Sequence, residues 1–460
     1  MDIRLFITLV LLVSTHLQAQ MVAGEMPYQD DKFTCISAEK ADRYIKDFGV
    51  NVASFGGKEL CKPSVDFKKL MNDFQIIEQG DFGAGDNLFI KGFVAAKDYY
   101  SWMKSQTRGV ERGQDVPYAT AYNSGGYFTM QDGWAILSTL GRVGTVIHEA
   151  RHTAGYRHIP CQQGTYQGSS VAGCDSTYSY GGSHAVEMEY YARVSVQGKN
   201  FHPVYKKMAR LMAIGRSNIF FNSPVIQKKE SILVLSENKD KSYLLNDQLN
   251  WVTREVPQVD SSYVLKRTSF GAVLFNLAQA LSIDMYENSK YADPVEDTYS
   301  YFKLLGESAD KKINDFEEYD QGVKRFVTLL SNDMKIGSYD FPNGQWGRFQ
   351  TVPFQVVKTT TDITQAGSPK GYYLIQSNGQ IAQFQPQNNR LVTLNNVQWN
   401  FDDFKVVSYL DKKLVLKKNG VLVEKQSDGS EKNWSLAEKL GFISDVVNVP
   451  VYDGFSVKTE

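Results

Sequence analysis

Apolar residues recur at helical spacing through the first half of the chain. Phe67, Leu70, Met71 and Phe74 lie at i, i+3, i+4 and i+7, which places them on one face of a helix. The same periodicity, with capping residues at the ends, predicts further helices at 37–49, 144–154, 183–196 and 203–215. Residues 118–138 instead show short strand-like runs, separated by turns at 123–126 and 132–133. We therefore expect this half to be an α+β domain.

After about Asn222, the pattern changes to short β runs joined by Asn-rich turns. Four such runs lead into turns that contain Asn238, Asn332, Asn378 and Asn419, and a Trp follows each turn: Trp251, Trp346, Trp399 and Trp434. The intervals between these Asn residues are 94, 46 and 41, so a degenerate unit near Asn288 would fill the longest one. Repeats of roughly 40–50 residues with a few strands each are typical of a β-propeller, which we favour over a β-sandwich.

Composition narrows the classes of protein to which the chain can belong. The chain has 460 residues, with 50 Lys and Arg against 51 Asp and Glu, a balance that argues against a nucleic-acid-binding surface spread along it. After the first twenty residues, no apolar run reaches the roughly eighteen residues that a transmembrane helix needs. The sequence therefore predicts neither a nucleic-acid partner nor a membrane span.

The N-terminus indicates export. Arg4, the apolar run 5–13 and Ala19 form the three parts of a signal peptide, which predicts a secreted or periplasmic protein. In an oxidising compartment the four Cys can pair, and the pairs that close the shortest loops are Cys35–Cys61 and Cys161–Cys174. The expected organisation is a signal peptide at 1–19, a catalytic domain at 20–220 and a β-repeat domain at 225–460.

One segment has the composition of a metal site. Residues 148–158 read HEARHTAGYRH, and on a helix His148 and His152 lie one turn apart on the same side. Both imidazoles could then hold one Zn²⁺, with Glu149 placed to accept a proton from its bound water. Gly155 can end the helix with a positive φ, so that His158 arrives as a third ligand. Three protein ligands leave a fourth position for water, which is the pattern of a catalytic rather than a structural zinc.

This segment resembles the HExxHxxGxxH signature of the metzincin zinc metallopeptidases. The resemblance covers eleven residues and implies a zinc-dependent endopeptidase, with His148, His152 and His158 as ligands and Glu149 as the general base. The family also has a Met-containing turn below the metal, whereas the nearest downstream methionine, Met188, lies in a stretch that reads as helical. A second layout of zinc peptidases takes its third ligand from a later helix, and Glu187 and Glu189 are candidates for that role.

We therefore expect a secreted zinc peptidase that acts on a protein or peptide, with C-terminal repeats that bind a surface or a protein partner. One alternative is a zinc amide hydrolase that acts on the peptides of the cell wall. The other is a non-enzymatic binding or adhesion protein whose zinc site is structural or vestigial. The motif encodes attack on an amide and does not separate these substrates. An edge strand in the region of residues 127–138 is expected to pair with extended substrate.

Overall fold

The computed structural model describes residues 24–114, 120–169, 172–223, 225–257, 259–276, 279–286, 313–321, 324–340, 345–365 and 367–452. The predicted signal peptide and the position Asn288 lie outside these ranges. Within them, no helix combines the length and the apolar character needed to cross a bilayer.

The first half is α+β, as its apolar pattern indicates. Its helices are α1 (Ala38–Phe48), α2 (Asp66–Gln79), α3 (Tyr99–Gln106), α4 (Asp132–Ala135), α5 (Thr139–Thr153), α6 (Ser183–Gln197) and α7 (Pro203–Ile219). Its strands are β1 (Gly109–Arg112), β2 (Ala121–Ser124) and β3 (Tyr127–Met130). They pair in the order β1–β3–β2, so β2 and not the strand that starts at Tyr127 forms the edge beside α5.

Three local predictions are wrong in detail. The turn expected at Asp132 begins the short helix α4 instead. Helix α5 starts at Thr139, earlier than expected, because the side chain of Ser138 caps it by accepting a hydrogen bond from the Gly141 amide at 3.1 Å. Helix α7 continues through Gly215, since one interior glycine costs only about 1 kcal/mol and packing can outweigh that cost.

A buried ion cluster anchors α5 in this domain. The guanidinium of Arg142, which is 1% exposed, lies 2.7 Å from Asp30 and 2.9 Å from Asp73 of α2. It also donates to the carbonyl of Leu137 at 3.0 Å. A buried charge is tolerated only with such pairing, so the cluster ties α5 to α2 and to the N-terminal segment.

The second half consists of β-sheets, which we number repeat sheets 1 to 5. Their strands after the N-terminal domain are β4 (Lys228–Ser236), β5 (Lys241–Leu245), β6 (Trp251–Glu255), β7 (Val264–Thr268), β8 (Gly271–Asn276), β9 (Gln279–Ile283), β10 (Ile313–Gln321), β11 (Lys324–Ser331), β12 (Lys335–Asp340), β13 (Gln345–Trp346), β14 (Gln350–Thr351), β15 (Val356–Thr360), β16 (Tyr372–Gln376), β17 (Gln380–Gln385), β18 (Arg390–Gln398), β19 (Asp403–Tyr409), β20 (Lys412–Lys417), β21 (Leu422–Lys425), β22 (Glu431–Asn433) and β23 (Ile443–Tyr452).

Each sheet is antiparallel, and consecutive strands are neighbours. Sheet 2 is β7–β8–β9, sheet 3 is β10–β11–β12–β13 with β14 beside β12, sheet 4 is β15–β16–β17–β18 and sheet 5 is β19–β20–β21–β22. Sheet 1 is different, because its order is β23–β4–β5–β6. The last strand of the described chain therefore completes the first sheet.

Apolar clusters join neighbouring sheets into a ring. One cluster joins sheets 1 and 5, and three others join sheets 2 and 3, 3 and 4, and 4 and 5. The largest cluster contains Leu233 of sheet 1 with Leu265 and Leu274 of sheet 2. This circular packing of small antiparallel sheets is propeller-like, as the repeat predicts.

The sequence repeat corresponds to equivalent strands. The β runs before the Asn turns form the second strand of sheets 1, 3, 4 and 5, namely β4, β11, β16 and β20. The repeated Trp residues lie in or next to the fourth strand, and Trp399 and Trp434 are buried. Sheet 2 occupies part of the long interval in the repeat, which explains the missing unit.

The two halves are in close contact. Helix α7 packs towards sheet 2, where Arg210 forms a buried ion pair with Asp284 and Lys207 donates to the Ser282 carbonyl at 3.4 Å. Hydrogen bonds also hold the segment that connects the two halves. The side chain of Asn222 accepts from the Gln162 amide at 2.8 Å and donates to the Pro160 carbonyl at 2.9 Å.

Truncation after Gly441 removes β23 and should abolish cooperative folding of the repeat domain. The strand carries Val446, Val447 and Val449 into two apolar clusters, and its loss leaves an edge of β4 unpaired. Thermal unfolding followed by circular dichroism measures the effect. Truncation after Tyr452 is the matched control and should melt like the full chain. Equal melting of both truncated proteins would contradict closure by β23.

Candidate metal centre

The HExxH segment lies in the last turns of α5 and holds two imidazoles side by side. The ring centroids of His148 and His152 are 4.9 Å apart. After the helix, Gly155 adopts a φ of +92°, a conformation that favours glycine, as the sequence predicts. The chain turns back there and brings the ring of His158 within 5.0 Å of His148 and 4.6 Å of His152.

The Nε2 atom of His148 lies close to the Nε2 atoms of both His152 and His158. The Nε2 atom of His148 lies 3.0 Å from that of His158 and 3.2 Å from that of His152. Two nitrogen ligands at about 2.0–2.1 Å from a tetrahedral zinc lie roughly 3.3 Å apart. The spacing of these atoms therefore fits a shared zinc ion.

The opposite ring atoms, Nδ1, face acceptors. His152 Nδ1 contacts the carbonyl of Tyr156, and a carbonyl can only accept, so this ring carries its proton on Nδ1. His148 Nδ1 lies 3.3 Å from the Glu187 carboxylate, and His158 Nδ1 lies 3.3 Å from the Asp175 carboxylate. For His148 and His152, such partners leave the Nε2 lone pair free to bind a metal, as in the carboxylate–histidine–zinc arrangement. The His158 Nδ1 atom, although close to Asp175, makes no hydrogen bond among the described residues.

Electrostatics keep the rings of His148 and His152 neutral. Burial, together with nearby His184, holds the pKa of His148 well below its usual value, and burial with neighbouring His158 lowers the pKa of His152 to about 4. Burial alone would raise the pKa of Glu187, but Arg216 at 3.1 Å and the hydrogen bonds of the imidazoles hold it well below its usual value. The contact between Glu187 and His148 is therefore a hydrogen bond from a neutral ring to a carboxylate.

Glu149 follows His148 on α5, and one of its carboxyl oxygens is unsatisfied. It is 4% exposed, and its Oε2 atom has no hydrogen-bond partner among the described residues. Burial, with the charge of Glu187 added, raises the pKa of its carboxyl group to about 8. A buried carboxyl group without a partner is costly, and a cation or a water molecule next to it would remove that cost.

A fourth histidine, His184 of α6, also lies at this centre. His148, His158 and His184 each offer one nitrogen, and these atoms all lie within 4.8 Å of one another. His184 Nε2 is 3.0 Å from the Gly173 carbonyl, and its buried Nδ1 atom has no hydrogen-bond partner among the described residues. Its ring is stacked between those of His158 and Phe220. The sequence motif leads us to keep His148, His152 and His158 as the expected metal-binding set, and His184 is a further candidate donor.

The two carboxylates considered as alternative ligands lie in other places. Glu187 touches the Nδ1 side of His148, away from the Nε2 centre. Glu189 faces the opposite direction and accepts from the amides of Lys91 at 2.6 Å and Gly92 at 2.7 Å, with Arg193 at 3.1 Å. Glu189 therefore holds the 91–94 loop and contacts none of the imidazoles.

Both expected disulfides are present, Cys35–Cys61 and Cys161–Cys174. The second one closes the loop after His158. The backbones of Ile159 and Cys174 pair at 2.8 and 3.1 Å, which places Asp175 next to His158. The Cys161–Cys174 disulfide therefore helps to position both His158, a candidate ligand, and the neighbouring carboxylate of Asp175.

The edge strand and α5 are also joined. Asn123 of β2 donates from Nδ2 to the Glu149 carbonyl and to Thr153 Oγ1, the latter at 2.8 Å. The strand therefore runs along the helix that carries the motif. Helix α6 approaches from the other side so closely that a Cβ on Gly144 would lie 1.8 Å from the Tyr191 hydroxyl, which itself donates to Glu187 at 2.9 Å.

Sequence reasoning missed His184, Asp175, Asn123 and Arg216, which come from four other segments. A weak signal existed for His184, since it is one of only six histidines and precedes Glu187 by three residues on a predicted helix. Asp175 follows a paired cysteine, and no local pattern distinguishes it or the other two.

No protein-family model matches the chain, and no curated protein matches its sequence. Similar solved structures include BBS1N in complex with ARL6DN (10% identity, 45% of this chain, 64% of that chain, TM-score 0.24). Another is YCF48 bound to D1 peptide (16% identity, 42% of this chain, 60% of that chain, TM-score 0.26). A third is apo AztD from Citrobacter koseri (11% identity, 48% of this chain, 73% of that chain, TM-score 0.24). The chain spans less than two thirds of the first two. At such TM-scores these similarities carry no conclusion about fold or activity.

Replacing Glu189 by Gln should destabilise the protein by about 3 kcal/mol, because it leaves Arg193 buried without its counter-charge. Urea unfolding measures the change. Glu237→Gln, in the exposed turn after β4, is the control and should change the free energy of unfolding little. An unchanged midpoint for Glu189→Gln would contradict the anchoring role.

Proposed function

We propose that the protein is an exported zinc-dependent peptidase that hydrolyses peptide bonds at the centre formed by His148, His152 and His158. The observation that carries the proposal is the close approach of the His152 and His158 Nε2 atoms to that of His148, on a helix that also carries the buried carboxyl group of Glu149. An all-imidazole donor set is typical of a catalytic zinc with an open position. The two disulfides support an oxidising compartment, which agrees with the predicted signal peptide.

A bound zinc would supply a water of lowered pKa and a Lewis acid for the scissile carbonyl. The chain supplies the proton transfer. Glu149, whose pKa burial raises to about 8, would titrate nearer neutrality with a cation close by, which suits a group that accepts a proton and later donates it. We therefore assign two roles to this carboxyl group: it accepts the proton of the attacking water, and it later donates that proton to the leaving amine.

Other residues orient the imidazoles and place the substrate. Glu187 and the Tyr156 carbonyl hold the rings of His148 and His152 by their Nδ1 sides, and Asp175 lies 3.3 Å from His158 Nδ1, so none of the three needs to touch the substrate. The site is approached from the side of His158, whose side chain is 19% exposed. The edge strand β2 offers backbone groups along α5 to which an extended peptide could add as a further strand.

Metal analysis of the purified mature protein tests the ligands. We expect about one zinc per chain, and His148→Ala, His152→Ala and His158→Ala should each lose it, because two imidazoles bind zinc far more weakly than three. His184→Phe keeps the ring stack and is the matched control, which should retain zinc. Loss of zinc in His184→Phe with retention in His152→Ala would instead assign the ligands to His148, His158 and His184.

Glu149→Gln should keep zinc and fold but lose roughly 10²–10⁴-fold in hydrolysis, since the isosteric amide cannot accept a proton. The measurement is cleavage of a quenched-fluorescent peptide library, compared with the parent protein before and after chelation. Glu237→Gln is again the control and should cleave at the parental rate. Parental rates in Glu149→Gln, or cleavage that survives complete chelation, would refute the peptidase mechanism.

A further inference from the structure

A cavity of about 320 Å³ lies at the centre of the ring of repeat sheets. The first strands of all five sheets line it and contribute its charged side chains: Lys266 from β7, Asp315 and Glu317 from β10, Lys358 from β15, Lys405 from β19 and Asp445 from β23. Its volume is at the lower end of the range for small-molecule sites. It lies in the repeat domain and shares no residue with the imidazole centre.

Two of the three lysines are paired inside the protein. Lys266 Nζ lies 2.6 Å from Asp315 and 2.6 Å from Glu317. Lys405 Nζ lies 2.9 Å from Asp445 and donates to the Leu265 carbonyl at 2.7 Å. Both ammonium groups are therefore neutralised by the walls of the cavity.

The carboxylates of the cavity have further donors of their own. Asp315 also accepts from the hydroxyls of Thr359 and Tyr372, the latter at 2.9 Å. Asp445 also accepts from the amides of Leu265 and Val446, each at 2.7 Å. These acids are thus held in place by several donors and are not free to move to another cation.

Lys358 is the exception. Its half-buried ammonium lies 4.5 Å from the ring centroid of Phe404 and 5.7 Å from that of Trp399, and no carboxylate among the described residues is in ion-pair contact with it. Burial, reinforced by the positive charge of Lys405, lowers the pKa of Lys358 to about 8. A cation placed in this way favours an anionic partner from outside the chain.

We propose that the central cavity binds a small organic carboxylate, whose charge pairs with Lys358 and whose apolar part packs against Phe404 and the neighbouring valines. Val264, Val356 and Val357 supply those apolar walls. A single unpaired ammonium suits one carboxylate better than a phosphate, which requires several donors. The same chemistry could come from a free acid or from the C-terminal carboxylate of a short peptide.

Isothermal titration of the full chain tests this site with three probes: phenylacetate, neutral phenylacetamide, and N-acetyl-Ala-Phe with a free carboxylate. We expect saturable binding of a carboxylate probe and none of the amide. Lys358→Met should weaken the binding about ten- to a hundredfold, the effect of losing one charge-assisted hydrogen bond. Lys358→Arg should restore most of it.

Lys335→Met is the matched control, because Lys335 lies outside the cavity, is 45% exposed and pairs with Asp333. It should bind like the parent, and circular dichroism of each variant checks the fold. Preference for phenylacetate indicates a free acid, and preference for the dipeptide indicates a peptide terminus. Absence of saturable binding of both carboxylates, or parental affinity in a folded Lys358→Met, would overturn the proposal. These titrations measure neither zinc content nor hydrolysis, so their outcome is independent of the proposed peptidase activity.

Discussion

The arrangement of the centre depends on one constraint: three imidazoles can point their lone pairs at one another only if something holds them by their other nitrogen atoms. Two acceptors from separate segments do this for His148 and His152, namely Glu187 of α6 and the Tyr156 carbonyl, and the Asp175 carboxylate lies 3.3 Å from His158 Nδ1. In the function that we propose, a zinc ion would accept these lone pairs and so remove the repulsion between them.

The candidate site divides clearly into what could and could not be predicted from sequence. His148, Glu149, His152 and His158 lie within eleven residues, so helical geometry and one glycine turn suffice to bring them together. Asp175 and His184 reach the same place through the Cys161–Cys174 loop and through α6, and their contacts depend on tertiary packing. Local patterns carry no information about such contacts, which explains why these residues were missed.

The same limit applies to the fold. The Asn turns and Trp residues predicted the repeat because each unit repeats the same local pattern, and the structure places them at equivalent strands. The turn expected at Asp132 and the helix end expected at Gly215 were wrong, since single turn-forming residues are weak signals that neighbouring packing can override. Pairing of β4 with β23 spans most of the domain, and no short-range pattern indicates it.

That pairing has a consequence for the order in which the protein is built. Residues 228–236 emerge from the ribosome, or from a secretion channel, some two hundred residues before the segment 443–452 that completes their sheet. The loop-closure entropy of so distant a contact must be overcome before its packing contributes, so the ring is expected to form late and slowly. Helices α1 to α7 precede β4 in the chain and can begin to pack first. The N-terminal domain therefore has time to form its own disulfides before the repeat domain exists as a closed structure.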